Sequence, residues 1–420
     1  SDAVLDVRIA CLEHARVELG ALALASSRAD DLSTALAAAD RLAPVERCAD
    51  LDADAVGPPQ PDDPLHAAAI MPVREAIALT RALDNAGELA DALTTGNDAI
   101  ARARELDWAP LRAEALEVVG EVEASRGEYA AAEALLSEAF FEARESGHDV
   151  VAVNAASTLV WVVGYRLARR AEGHEWARHG EAQLGSPAIG RLDEARLRNA
   201  IGTMYEDEGE LDASEAAYRQ ALALIAAERG VDHSDAAMVH NNLGNLAERR
   251  GDFVKAEQEQ RHALAINERV HGEDHELTAM SLNNLAIALQ RQGRAQEGLP
   301  LLRRALAVRE RVLGPEHPLV ARTHMNLGVT LKALDELDEA EQHQRRAVAI
   351  FEAKLGGSHT DLASAWINLG NVLRRRGRGE DALAAIRRAR TIFEAALPAD
   401  HPNVARVKQT EAEFAADLAQ

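Results

Sequence analysis

The sequence predicts an all-α fold, a right-handed superhelical solenoid of antiparallel helical hairpins. Three observations predict it. The first is a 42-residue period: Gly202, Gly244, Ala286, Gly328 and Gly370 share one interval, as do Gly209, Gly251, Gly293, Asp335 and Gly377, and so do Ala221, Ala263, Ala305, Ala347 and Ala389. His233, His275, His317, His359 and His401 form a fourth column in the same register. Self-similarity at this period marks stacked hairpins, each touching only its neighbours. The second is composition: 420 residues, 47% apolar but only 3% aromatic, make a thin core for one globule and suit close helix-on-helix packing. The third is a marker upstream of the regular period, a glycine between two helices with Ala twelve positions later, as in Gly87 with Ala99 and Gly127 with Ala139.

In chain order, residues 3–27 read as one amphipathic helix with Val4, Val7, Ile9, Cys11, Leu12, Val17 and Leu19 on its apolar face. A second helix, roughly 31–43, starts behind Asp30 or Asp31 and is closed by Pro44, so 1–49 forms a hairpin. The acidic, proline-bearing stretch 50–65 is a linker. Residues 66–192 hold about three degenerate hairpins; Gly164 keeps its place there while Ala171 replaces the turn glycine. Residues 193–400 hold five regular repeats, and 401–420 supply a capping helix.

Each column has a physical reason. The mid-helix glycines admit a close crossing by the second helix of the same hairpin. The second glycine column, Gly251 among them, ends the first helix in a left-handed conformation, after which Asp252 or its equivalent caps the second. Large residues at the alanine positions force helices apart. The histidines bond backbone or cap the first helix of the next repeat, with Pro318 and Pro402 stiffening the turn. They do not form a metal ladder, because stacked hairpins hold them on the order of 10 Å apart, whereas a metal sits ~2 Å from each nitrogen.

Charge bounds the partners. The net charge is −23, with −18 in 1–150 (30 acidic, 12 basic) and +2 in 301–420 (16 acidic, 18 basic). An acidic chain is a poor nucleic-acid binder, and the more basic end favours an acidic ligand. Cys11 and Cys48 are too few for a disulfide framework; the favoured state is two free, buried thiols, a pair requiring antiparallel neighbouring helices. No apolar run reaches the ~20 residues that span a bilayer, so no direct membrane insertion is expected. Catalytic motifs are missing: no Gly-rich phosphate loop, no H-R-D and no D-F-G. His174 and His179 are five apart, out of step with a zinc helix. Glu206, Asp207 and Glu208 read as solvated. The chain is expected to be no enzyme and to need no cofactor or metal.

The strings HNNLGNLAERRGDFVKAEQEQRHALAINERVHGEDH, LNNLAIALQRQGR and HMNLGVTLKALDELDEAEQHQRRAVAIFEAKLGGSH resemble the tetratricopeptide repeat, and within it the kinesin light chain subclass. The resemblance is strongest over 235–396 and implies an interaction module. LDVRIACLEHARVELGALALAS and DLSTALAAADRLAPVERCADLD are similar to the segment after the kinase domain in bacterial serine/threonine protein kinases with C-terminal repeats of this kind. That implies a regulatory region, cytoplasmic as read here, or extracytoplasmic if a membrane helix lies upstream.

In such a solenoid the first helix of each hairpin lines a concave groove. The candidate stripe is Asn241, Asn242, Asn245 and Arg249, then Asn283, Asn284 and Arg291, then Arg322, Met325 and Asn326, then Asn368, Asn371, Arg374 and Arg375. The resemblance implies that Asn242, Asn284, Asn326 and Asn368 contact the backbone of an extended peptide. An asparagine amide donates and accepts, so it reads a peptide backbone without demanding a sequence. It also satisfies neighbouring helices, and both roles stay open. The arginines suit a carboxylate or phosphate. The expected partner is a peptide or protein, an acidic one included; self-association is compatible with such a face. A free-standing adaptor or a small-molecule sensor is the alternative.

Overall fold

The computed structural model describes residues 2–26, 48, 58, 61, 63–357, 359–399 and 401–418. Every regular element among them is helical. Helix α1 spans Asp2–Ser26. Next come α2 Pro64–Asn85, α3 Leu89–Glu105, α4 Ala109–Arg126 and α5 Tyr129–Ser146; α6 Asp149–Leu159 runs into a π-helical turn, Val160–Arg166, before α7 Arg170–Glu181. The longer pairs follow: α8 Arg191–Glu208 with α9 Leu211–Arg229, α10 Ser234–Arg249 with α11 Phe253–His271, and α12 Glu276–Arg291 with α13 Ala295–Leu313. After these come α14 Pro318–Ala333 with α15 Leu337–Leu355, α16 Thr360–Arg375 with α17 Gly379–Ala396, and α18 Pro402–Leu418. The chain forms two compact units, 1–246 with 269–271, and 247–268 with 272–420. Their division does not follow the sequence boundary at 192/193.

Within each unit the hairpins are built as the columns require. The first (A) and second (B) helices cross at a glycine. A methyl group added at Gly202 of α8 would lie 2.6 Å from the Tyr218 ring of α9, and one at Gly370 of α16 would lie 2.9 Å from Ile386 of α17. Ala286 breaks the glycine column, and α13 compensates by placing Gly298 against the Ala286 carbonyl oxygen. The A helix then ends on a left-handed residue: Gly127, Gly209, Gly251, Gly293 and Gly377 in most hairpins, Asp335 (φ 65°) and Ala168 (φ 55°) in two. Asp252 caps α11 by accepting from the Lys255 amide (3.1 Å).

The five histidines of the fourth column are N-cap acceptors. Each ring Nδ1 takes the backbone N–H two residues on, for example Leu277 N–H to His275 (3.2 Å), Leu319 N–H to His317 (3.1 Å) and Asn403 N–H to His401 (3.1 Å). A second recurring device pins successive hairpins. Glu257 in α11 accepts from Gln292 and Arg294 (2.9 and 2.6 Å) in the turn after α12. Glu341 in α15, 2% exposed, accepts in the same way from Arg376 and Arg378 after α16. In both, a mostly buried carboxylate meets arginines that keep much of their surface in solvent, so screening limits what each pair contributes.

Three expectations need correction. The cysteines are not free: Cys11 and Cys48 form a disulfide with Cα atoms 5.6 Å apart, and it anchors Cys48, 3% exposed, on α1. Helix α1 buries Val17, Ala21, Leu22 and Ala25, against α2, while Ile9, Leu12 and Leu19 are exposed at 45%, 48% and 58%. The stripe that packs is therefore Val17, Ala21, Leu22 and Ala25, which shares only Val17 with the face expected from the sequence. Finally, Glu206, Asp207 and Glu208 are not a solvated cluster. They pair with the Tyr218 hydroxyl (3.0 Å), Arg170 (3.1 Å) and His174 (3.0 Å). The expected helix at 31–43 and most of the linker at 50–65 lie outside the described residues.

Candidate functional site

The asparagine columns form rungs between neighbouring A helices. The second asparagine of one repeat donates its amide to the first asparagine of the repeat before it, across 43 residues. In the first unit Asn242 Nδ2 donates to Asn199 Oδ1 (2.9 Å), and in the second Asn326 Nδ2 donates to Asn283 Oδ1 (2.9 Å). Asn283 in turn donates to Asn284 Oδ1 (3.2 Å). Asn241 and Asn283 are buried, at 3% and 7% exposure. Asn241 donates to the Ala237 carbonyl of its own helix (3.1 Å). These two point into the protein, and Asn242, Asn284 and Asn326 stay half-buried beside them. Mid-helix asparagine is a poor helix former, and the rung is what compensates.

The rung is open at the far end. Asn368 needs an acceptor 43 residues back, and Met325 stands there with none to offer. Asn368 and Asn371 on α16 are half-buried, and neither side chain has a hydrogen-bond partner among the described residues. Arg322 on α14 is exposed and makes no ion pair among them. An unpaired amide and an unpaired guanidinium on adjacent A helices are what an extended peptide with a carboxylate can use.

The remaining arginines differ. Arg374 pairs with Asp417 of α18 and lies over the Phe414 ring (4.7 Å). Arg375 pairs with Asp335 (2.6 Å). Arg249 and Arg291 are exposed, and Asn245 is half-buried. Charges at the A-helix ends shape one another. Burial pushes the Glu248 carboxyl up to about 7, with the Arg291 guanidinium pulling the other way. Burial and the Arg375 guanidinium both lower the Lys332 ammonium. The second unit thus carries a lysine with no ion pair among the described residues, next to the open rung's own helices. Sequence reasoning passed over Lys332, although its spacing of 43 from Arg375 is that of a rung.

No group of three or more metal-ligating side chains converges among the described residues, and no helix there is long and apolar enough to cross a membrane. His174 faces Glu208, whereas His179 packs on Phe140 and Trp176.

Residues 193–269, 235–295 and 277–353 match one tetratricopeptide repeat family model, and 362–403 match a second. The chain therefore carries tetratricopeptide repeats over these spans. Among solved structures, BtubC (BKLC) from P. vanneervenii is 25% identical over 58% of this chain and 90% of its own, with a TM-score of 0.44. A putative kinesin light chain repeat protein of Podosopora anserina is 21% identical over 47% and 95%, at 0.41. The apo form of RapI is 17% identical over 72% and 81%, at 0.53, and shares the all-α hairpin fold. No curated protein matches the chain.

Proposed function

We propose that this chain is a protein-interaction scaffold that takes an extended peptide along the A helices of its second unit, within the regulatory region of a bacterial serine/threonine protein kinase. The repeats support the scaffold role. The observation that carries the peptide site is the open rung: Asn368 keeps the residue type of its column and lacks the internal partner that Asn326 has. A bound backbone supplies the missing partner. Arg322 then selects an acidic side chain, and Arg374 and Arg375 serve the stack rather than the ligand.

The kinase assignment rests on the resemblance of the N-terminal segment. The Cys11–Cys48 disulfide supports the extracytoplasmic of the two placements, because disulfides persist in oxidising compartments. Full-length activity indifferent to deletion of 66–420 would count against regulatory control.

The peptide site is tested by fluorescence anisotropy with a set of extended acidic peptides. Asn368→Ala removes one bidentate amide and leaves the closed rung intact. It should weaken binding about 5- to 30-fold, as expected for one or two hydrogen bonds of ~1 kcal/mol each. Arg322→Ala should weaken acidic peptides and spare neutral ones. The double change Asn284→Ala with Asn326→Ala, at side chains already bonded within the stack, should weaken capture less than Asn368→Ala while circular dichroism stays unchanged. Equal affinity in all variants sinks the peptide site and leaves the adaptor or small-molecule sensor.

A further inference from the structure

The first unit carries a different kind of site. Tyr129 at the start of α5, and Trp161 and Tyr165 in the π turn, surround one guanidinium. Arg166 lies 4.7 Å from the Tyr129 ring, 5.5 Å from Trp161 and 5.9 Å from Tyr165. Tyr129 packs edge-on to Trp161 at 5.9 Å and 79°, and Trp161 lies tilted against Tyr165 at 6.5 Å and 42°. All three are half-buried, whereas Arg166 is exposed and makes no ion pair among the described residues. In a chain with only 4 Trp, 4 Tyr and 6 Phe, three rings converging on one cation are conspicuous.

The backbone is arranged for this. The π turn bonds Leu167 N–H to the Val162 carbonyl (2.9 Å) and Arg169 N–H to the Val163 carbonyl (3.0 Å). Within that turn Tyr165 and Arg166, four and five residues on, both lie beside Trp161, at 6.5 Å and 5.5 Å from its ring centroid. Such turns are frequent at functional sites. The turn ends on Ala168 at φ 55°, a conformation unfavourable for a residue with a β-carbon.

We propose that Tyr129, Trp161 and Tyr165 form a receptor for an arginine side chain supplied by a partner protein, with Arg166 as the resident that the partner displaces. The resident shows that a guanidinium fits. An exposed cation–π contact is weak, and no carboxylate reinforces it, so the resident is replaceable. A cage of rings without a carboxylate favours the weakly hydrated guanidinium over a lysine ammonium, which keeps its water. The surrounding charge favours a cation too: residues 109–166 hold 10 acidic and 4 basic side chains, a net of −6. This site is independent of the open asparagine rung, which lies in the second unit.

The test follows the Trp161 indole N–H signal by NMR, assigned with Trp161→Phe, during titration with acetyl-Gly-Arg-Gly-amide and its lysine counterpart at matched ionic strength. The arginine peptide should shift that signal saturably. In Arg166→Gln, a surface change that leaves the fold intact, it should bind about 3- to 10-fold more tightly because the competing resident is gone. Tyr165→Leu should lose the response, and Tyr165→Phe should keep it. A signal unmoved by the arginine peptide in Arg166→Gln overturns the receptor. So does an equal response to lysine, or a response to phosphatidylcholine vesicles alone.

Discussion

Hairpin α6–α7 and the regular hairpins solve the same three problems differently: how two helices cross, how the A helix starts, and how it ends. In α8–α9 the crossing is a glycine against a side chain, Gly202 beneath the Tyr218 ring. In α6–α7 it is glycine against glycine: a methyl group at Gly173 would lie 2.5 Å from the Gly164 α-carbon and 2.9 Å from the Met204 sulfur. A ring can tilt away from a new methyl group, but a backbone cannot. Tightness at Gly202 and Gly328 is therefore shared with a side chain that yields, whereas in α6–α7, as at Gly298 in α12–α13, it resides in the main chain.

That difference sets the largest expected effect. Gly173→Ala should destabilise the first unit by about 3 kcal/mol or more, and Gly202→Ala by about 1–2 kcal/mol, following the usual cost of overpacking. Urea unfolding with local probes in each hairpin checks the ranking. Equal costs would mean that the π turn, and not the glycine pair, sets the geometry of α6–α7.

Much of this contrast was legible beforehand. The 42-residue period fixed where helices start, end and cross, because each column answers a steric or hydrogen-bonding need that recurs. Gly164 was visible; its partner Gly173 was not, since the shortened B helix moves the crossing out of register. The π turn has no periodic signature, as one inserted residue shifts only the local winding. In the candidate site, asparagine recurs at 242, 284, 326 and 368 whether or not a rung is closed. The signal that separates them sits in the neighbouring column, where Asn199, Asn241 and Asn283 give way to Met325 and Ile367. The disulfide depended on Cys48 meeting α1, a long-range contact that the spacing of two cysteines does not encode.

The start of the A helix sharpens the contrast through pH. His317 caps α14 through an unprotonated Nδ1, and burial with the Arg309 guanidinium holds its pKa below the ordinary value of 6.5. A base with a lowered folded pKa contributes stability above its unfolded value and loses it as pH falls through the folded one. His148 stands before α6 but makes no cap bond; its Nε2 lies 3.2 Å from Glu114. Burial opposes the Glu114 charge, yet His148 and Arg74 hold that carboxyl down at about 2. Its contribution is present above 4.5 and is lost only as pH falls towards about 2. Acidification from pH 7 to pH 5 should therefore lower the protection factor of the Leu319 amide, taken against its intrinsic exchange rate at each pH, and leave that of the α6 N-terminus unchanged. His317→Ala should cost about 1 kcal/mol at neutral pH, in the range of other lost N-caps, and should remove that pH response. Protection factors that fall equally at both helices would show that the caps do not govern them.

The smallest effects belong to the helix ends. Asp335 and Ala168 both adopt the left-handed conformation that glycine takes in the other hairpins, at φ 65° and 55°. Aspartate tolerates this region better than alanine, and Asp335 also pairs with Arg375, although it is 71% exposed. Exposed pairs contribute little, typically below 1 kcal/mol. Ala168→Gly should then stabilise its hairpin by about 1 kcal/mol, and Asp335→Gly should gain about half that or nothing, because relief of strain is offset by the lost pair and by the greater entropy of an unfolded glycine. If Asp335→Gly gained more than Ala168→Gly, the strain would lie in the regular repeat, and the left-handed residue after the π turn would be a relaxed feature of that turn.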